Sequence, residues 1–347
     1  MRAIVKTKKG EGFLEMQERP LPQIENDEVL IRVSYAGICG TDIHIKHDQY
    51  PYWPPVIIGH EFSGVVVKTG EDVRDFSEGD RVVGEPHNLH CGKCELCRTG
   101  NIQLCLKKRS IGWGIDGAFA EYVKMPESLL HKIPEEVSLS DAAMAEPCAI
   151  VAHQLLERGR ILPGQTVVIM GLGPIALIAA QMAKIAGAGK IIMCGCNSDE
   201  GIRLAALRKL SVCDRFINVQ KENAEEVLKE EMEKGGVDVV VEASGAASAI
   251  RSGVRLLKKK GLFCGIGMTN NEEIPFPWNM AMQKAIDLQF NMSSSFRGWE
   301  MALSFLKSGK LRAEELYEIR PLSAFEAAFE DLEKGNAIKI LLSPSEE

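Results

Sequence analysis

The sequence has no excess of positive charge. Its 41 Lys and Arg residues face 48 Asp and Glu, a formal net charge of −7 at pH 7. Binding nucleic acid needs a basic footprint to neutralise phosphates, so that class is excluded as the main partner. No apolar run is long enough to cross a bilayer. The opening residues Met1-Arg2-Ala3-Ile4-Val5 read as a first strand rather than as the apolar core of an export signal. The expectation is a cytoplasmic chain with no membrane partner. Internal repeats and low-complexity tracts are absent too. With 45% hydrophobic and 26% charged residues, the composition is that of a globular protein, and its length suits about two domains.

Cysteine, by contrast, is plentiful, with ten in the chain. A large chain without an export signal is not expected to carry a disulfide framework. Cys91, Cys94, Cys97 and Cys105 read C-x-x-C-x-x-C with one more thiol further on, beside Gly92 and Gly100. Four thiolates at short spacing make a closed, tetrahedral structural zinc site. Upstream, Gly59-His60-Glu61 supplies an imidazole and a carboxylate, which suggests a second, open metal site. Cys148, Cys194, Cys196, Cys213 and Cys264 lie in apolar or strand contexts and read as core cysteines.

Residues 1 to about 150 read as short strands broken by Gly and Pro, such as Val29–Val33 and Gly64–Val67. From Leu139 to Arg158 the apolar spacing becomes helical, with Ser138 or Ser140 available as a cap. Thr166–Met170 then opens a series of six apolar strands, most of them separated by helical stretches. This alternation predicts a doubly wound parallel sheet covered on both faces, an α/β dinucleotide-binding fold. The tail beyond about Ser294 reads as one amphipathic helix and a last strand, returning to the first unit. The polar end, Ser343–Glu347, is expected to fray.

After Met170 comes Gly171-Leu172-Gly173-Pro174-Ile175-Ala176, G-x-G-x-x-A between a strand and a helix. The first Gly allows the tight turn, the second lets backbone approach a pyrophosphate, and the small third residue lets helix and strand pack. Gly171, Gly173, Pro174 and Ile175 are therefore candidate cofactor contacts. The acid expected at the end of the second strand, where it would bond the adenosine ribose, is replaced by Gly195. Without that carboxylate a 2′-phosphate is not repelled, and Asn197, Ser198 or Arg203 could contact it. Asp199 arrives late and is expected outside the pocket. NADP should be accepted at least as well as NAD.

Upstream of His60 stands Gly37-Ile38-Cys39-Gly40-Thr41-Asp42-Ile43-His44. Together with Gly59–Gly64, the four-cysteine lobe, Glu146-Pro147 and the Gly171 fingerprint, it resembles the zinc-dependent medium-chain alcohol dehydrogenases, specifically their sorbitol dehydrogenase branch. Within that branch the likeness extends to dehydrogenases of sugar alcohols or their phosphates, D-arabitol-phosphate dehydrogenase among them. The resemblance implies a GroES-like β-rich catalytic domain over residues 1–150, carrying the structural zinc lobe. It also implies a six-stranded Rossmann domain over 151–293 and a return segment over 294–347.

It further implies Cys39, His60 and Glu146 as ligands of a catalytic zinc, with manganese an alternative because one ligand is a carboxylate. Glu61 competes for the third place but reads as a neighbour of the ligands, since adjacent strand residues point oppositely. Asp42 would orient the imidazole. The substrate proton would leave through Thr41, then the cofactor ribose, then His44, while hydride passes to NAD or NADP. Tyr50, Trp53 and Trp113 would lie near the pocket, and Arg297 with Lys46 could hold a substrate phosphate. The substrate class so implied is a polyol or polyol phosphate, and the assembly a homo-oligomer, dimer or tetramer. L-threonine 3-dehydrogenase shares the Cys-Gly-Thr-Asp-x-His stretch and is the rival enzyme reading. A structural nucleotide-binding relative without chemistry is the non-enzyme rival, disfavoured by retention of every candidate ligand and relay residue.

Overall fold

A computed structural model describes residues 1–269 and 271–345. The chain divides into two compact units. The first comprises Met1–Pro147, Trp299–Lys307 and the chain from Tyr317; the second comprises Cys148–Gly298 and Ser308–Leu316. The tail is thus not a single return segment. Residues 294–298 and Ser308–Leu316 group with the second unit, a division set by tertiary packing that the local sequence pattern does not carry.

In the first unit, strand Glu28–Gly37 is the axis of a seven-stranded sheet. Alternate residues Val29, Ile31 and Val33 are buried while Arg32 is exposed, the period-two pattern of a half-covered strand. One neighbour is Glu61–Thr69, antiparallel, with Gly37 paired to Glu61. On its other side lies Lys339–Ser343, with Gly37 paired to Leu341 and the Ile38 N–H bonded to the Ile340 carbonyl. This register gathers three distant segments at one strand end, the residues before and after Gly37, those around His60, and the start of the last strand. A smaller sheet joins Arg2–Lys6 to Leu14–Glu18 and Val56–Ile57.

The second unit is a six-stranded sheet in which all neighbours pair parallel, with one register shift between Val237–Glu242 and Leu257–Gly265. Numbered by appearance from Thr166–Met170, its strands run 3-2-1-4-5-6, the order of the complete dinucleotide-binding fold. Val167–Ile169, Ile191–Met193 and Val239–Val241 are buried on both faces, as the near-continuous apolar runs demand. Helix Pro174–Ile185 is buried from Ala176 to Ala183, which explains its lack of a polar face.

Several local readings change. The helix expected over Leu139–Arg158 is broken into Leu139–Ala142 and Ala145–Ala152, the latter continued by π-helical His153–Arg158. The tail holds more than one helix and one strand, since strand Tyr317–Pro321 and helix Phe325–Lys334 precede the last strand. The strand is half-exposed and weakly patterned and forms because the last strand offers a partner, whereas the helix carries an apolar stripe of Phe325, Ala328, Phe329 and Leu332 that packs into the first unit's core. Cys196 and Cys213 are only partly buried, whereas Cys148, Cys194 and Cys264 are core residues. The expectation of a frayed end is corrected where the end is described, since Ser343 closes the last strand and Pro344 is buried with its carbonyl accepting from Arg2 at 3.1 Å, while Glu346 and Glu347 lie outside the described residues.

Candidate active site and metal centres

Cys39 begins the short helix Gly40–Lys46. Its N–H is bonded by the Asp42 carboxylate at 2.8 Å, a charge-assisted cap that fixes the thiol at the helix start. The other end of the helix is held by Lys6, whose fully buried ammonium donates to the carbonyls of Gly10, Gly12 and Lys46. Thr41 Oγ1 lies 3.8 Å from Cys39 Sγ. His44 stands three residues further along the same helix, partly exposed, with Nδ1 3.2 Å from the Gln49 amide oxygen.

His60 is placed by Gly59, whose φ of +90° and closeness to the Phe119 ring admit no side chain, since a Cβ would lie 2.2 Å from that ring. The imidazole is buried, with Nδ1 3.8 Å from Asp42 Oδ1 and an edge-to-face contact with Trp113 at 4.9 Å. Nδ1 and Asp42 Oδ1 make no direct hydrogen bond, so Asp42 faces the ring without gripping it. With Nδ1 toward Asp42, Nε2 is the nitrogen left for a metal. Burial alone would push the His60 pKa down, yet the Cys39 thiolate and Asp42 hold it well above the usual value. A thiol and a carboxylate converging on one buried imidazole form a place suited to positive charge, such as a bound metal cation.

Atoms of Cys39, His60 and Glu61 come within 4.8 Å of one another, the arrangement of a metal group. Glu61, however, is ion-paired with Lys339, and both are buried. Cys39 and Glu61 together keep the Lys339 ammonium charged against the cost of burial. Lys339 is a residue the sequence reading did not single out, although a lysine opening the apolar run Ile-Leu-Leu was the available signal. Glu146, on helix Ala145–Ala152, falls outside the 4.8 Å group. It is buried, and its carboxylate has no hydrogen bond or ion pair among the described residues. Burial raises its pKa to about 7, with His60 lowering it and Glu61 raising it. A buried carboxylate without a partner is costly, and a cation beside His60 would supply the missing one.

The aromatic expectations separate. Tyr50 packs edge-on against Trp113 at 5.7 Å, so both stand by His60. Trp53 instead carries the Arg109 guanidinium 3.8 Å above its ring. Lys46 is committed to Glu333 at 2.9 Å, and Arg297 is exposed in the second unit. Lys46 is therefore not a free cation for a substrate phosphate.

In the cysteine lobe the four sulfurs lie within 4.8 Å of one another. The separations Cys94–Cys97 of 3.5 Å and Cys91–Cys97 of 3.9 Å bracket the roughly 3.8 Å edge of a tetrahedron with 2.3 Å zinc–sulfur bonds. Backbone N–H groups of Cys94, Cys97 and Cys91 point at the sulfurs of Cys91, Cys94 and Cys105. Hydrogen bonds from the Lys93 and Cys94 N–H groups lower the Cys91 thiol to about 6, so this thiolate forms readily. The donor set fits zinc.

In the second unit Gly171 takes φ +111° at the end of the first strand, and Gly173 caps helix Pro174–Ile185 with Pro174 in its first turn. A Cβ on Gly173 would meet nothing, so the helix start is open to a ligand, while Ala176 is packed. Asp199 is not remote. The turn Asn197–Asp199 brings its carboxylate to 2.9 Å from the Cys196 N–H and 2.8 Å from Arg203, at the end of strand Lys190–Gly195. A Cβ on Gly195 would sit 3.0 Å from it, so Gly195 makes room for the acid. Arg203 is thereby tied to Asp199, and Asn197 to Asn218.

Comparison with known proteins agrees with this geometry. Residues 25–135 match the model described as alcohol dehydrogenase GroES-like domain, and 174–308 that described as zinc-binding dehydrogenase. A sorbitol dehydrogenase of Halalkalibacterium halodurans is 39% identical over 99% of both chains. A D-arabitol-phosphate dehydrogenase of Enterococcus avium is 34% identical over 100% of this chain and 98% of its own. A Sinorhizobium meliloti protein solved bound to NADP superposes with a TM-score of 0.91 at 28% identity, covering 99% of each. Two family models over 25–135 and 174–308 and relatives of 39% and 34% identity along nearly the whole chain show that it belongs to the zinc-type medium-chain alcohol dehydrogenase family, in its sorbitol dehydrogenase-like branch.

Proposed function

We propose that this chain is a metal-dependent oxidoreductase that moves hydride between a secondary alcohol of a polyol, or polyol phosphate, and NAD(P). The observation that carries the reading is the convergence of Cys39, His60 and Glu61 within 4.8 Å beside Thr41, with the buried Glu146 carboxylate near enough to feel the charge of His60. Cys39, His60 and Glu146 are the proposed catalytic ligands, one thiolate and one carboxylate balancing a divalent charge. Lys339 leaves Glu61 the weaker candidate, because a carboxylate already neutralised gains less from a metal. A bound zinc would act as a Lewis acid toward the alcohol oxygen, with manganese the harder alternative. In the proposed relay Thr41, three residues from His44 on one helix face, accepts the hydroxyl proton at Oγ1 as it gives up its own, and His44, partly exposed, would release the proton to water. The cysteine lobe would hold a second, structural zinc.

Both cofactors are proposed to bind. Arg203 neutralises Asp199, so the strand end presents a near-neutral pair that neither demands a bare ribose nor repels a 2′-phosphate. A homo-oligomer, dimer or tetramer, is supported by strand Asp287–Phe290, which is the sheet's edge and exposes Leu288 and Phe290. A cytoplasmic location accords with ten free thiols.

The test is a reduction assay on metal-loaded protein with matched polyols and polyol phosphates, NAD and NADP each, and threonine as control. Turnover of a polyol or its phosphate supports the proposal, whereas turnover of threonine alone replaces it.

A further inference from the structure

The amino ends of the second unit's strands form a cleft of about 560 Å³, lined by Arg158, Arg160, Lys258, Lys259 and Lys260. It lies at the far end of strand Thr166–Met170 from the Gly171 fingerprint, roughly 17 Å away at 3.3 Å per residue. Five cations meet only two acids there, Asp238 and Asp287, in a chain whose net charge is −7. Asp238 is paired with Lys258 and also accepts the Thr166 N–H. Arg158 donates to the Phe290 carbonyl and to Asn291, both neutral, so its charge is not cancelled. The side chains of Arg160, Lys259 and Lys260 have no hydrogen-bond or ion-pair partner among the described residues.

The backbone holds these cations in place by irregular means. Val237 pairs with Leu257 and Val239 with Leu262, so strand Leu257–Gly265 carries three extra residues, and Lys258–Lys260 fall in that bulge. Lys260 and Arg160 both adopt left-handed conformations, φ +58° and +51°, which disfavour side-chain-bearing residues. A helix end explains a basic Arg158, but not three uncompensated cations aimed from two strained segments into one cleft.

We infer that this cleft binds a small anion carrying two or more phosphate charges, at a site separate from the nucleotide fingerprint. The recognition is charge-assisted hydrogen bonding from Arg160, Lys259 and Lys260. The experiment is calorimetric titration of the full-length protein with inorganic pyrophosphate, with saturating reduced cofactor filling the fingerprint. Lys259→Glu/Lys260→Glu is compared with the charge-matched Lys229→Glu/Lys234→Glu, exposed at the start and just past the end of helix Lys229–Glu233 in the same unit. Binding by the wild type that weakens about tenfold or more only in the cleft variant, with cofactor KM unchanged, is expected. No binding by the wild type, equal loss in both variants, or binding that survives in the cleft variant overturns the site.

Discussion

Lys339 and Glu61, far apart in sequence, form a buried ion pair beside the Cys39 thiol. On the proposed reading the pair leaves Glu146, rather than Glu61, as the carboxylate for a metal. It also ties the last strand to the strand that follows His60.

Removing one partner should be far worse than removing both. Lys339→Met leaves Glu61 buried and unpaired, at a cost on the order of 3–5 kcal/mol. Lys339→Met/Glu61→Gln should recover most of that loss. Urea denaturation of the wild type and these two variants measures it, and a double variant no more stable than the single would refute the coupling.

Glu146→Gln and Glu61→Gln separate the candidate ligands. Glu146→Gln should lose the catalytic metal and almost all turnover, while Glu61→Gln should retain metal with activity lowered about 10- to 100-fold, as for groups that support ligands. Metal content by mass spectrometry and the visible spectrum of cobalt-substituted protein are the readouts. The reverse order would make Glu61 the third ligand.

Cys97→Ser should remove one of two zinc equivalents and leave the other. Because the lobe is held by its sulfurs and few apolar contacts, limited proteolysis should then cut between Leu89 and Arg109. Retention of both metals in Cys97→Ser would show that the lobe does not need its fourth thiolate.

Asp199 and Arg203 are proposed to set cofactor choice. Arg203→Ala bares the carboxylate and should shift the kcat/KM ratio toward NAD by about tenfold, from lost pairing with a 2′-phosphate; an unchanged ratio counts against the role.

The same carboxyl gives a pH test. Burial opposes its ionisation, but the Cys196 N–H and Arg203 outweigh that and hold its pKa below the usual range. A folded pKa that is lowered stabilises the protein above the unfolded value near 3.9, and the gain fades as pH falls through the folded pKa. Below about pH 4 the urea midpoint of the wild type should therefore fall more steeply than that of Asp199→Asn; parallel curves would remove Asp199 from the account.

Much was legible in local pattern. The thiol spacing, the Gly171 turn between strand and helix, and six apolar strands each follow from chemistry confined to a few neighbouring residues, so the sequence alone determined the fold class and located both candidate metal segments. The partnership of Lys339 with Glu61, the return of Asp199 to the strand end and the division of the tail between two units were decided by tertiary structure. Each depends on groups brought together by strand register or packing across tens to hundreds of residues. No local periodicity encodes the burial that leaves Glu146 without a partner, or the bulge that collects Lys258–Lys260 beside Arg160.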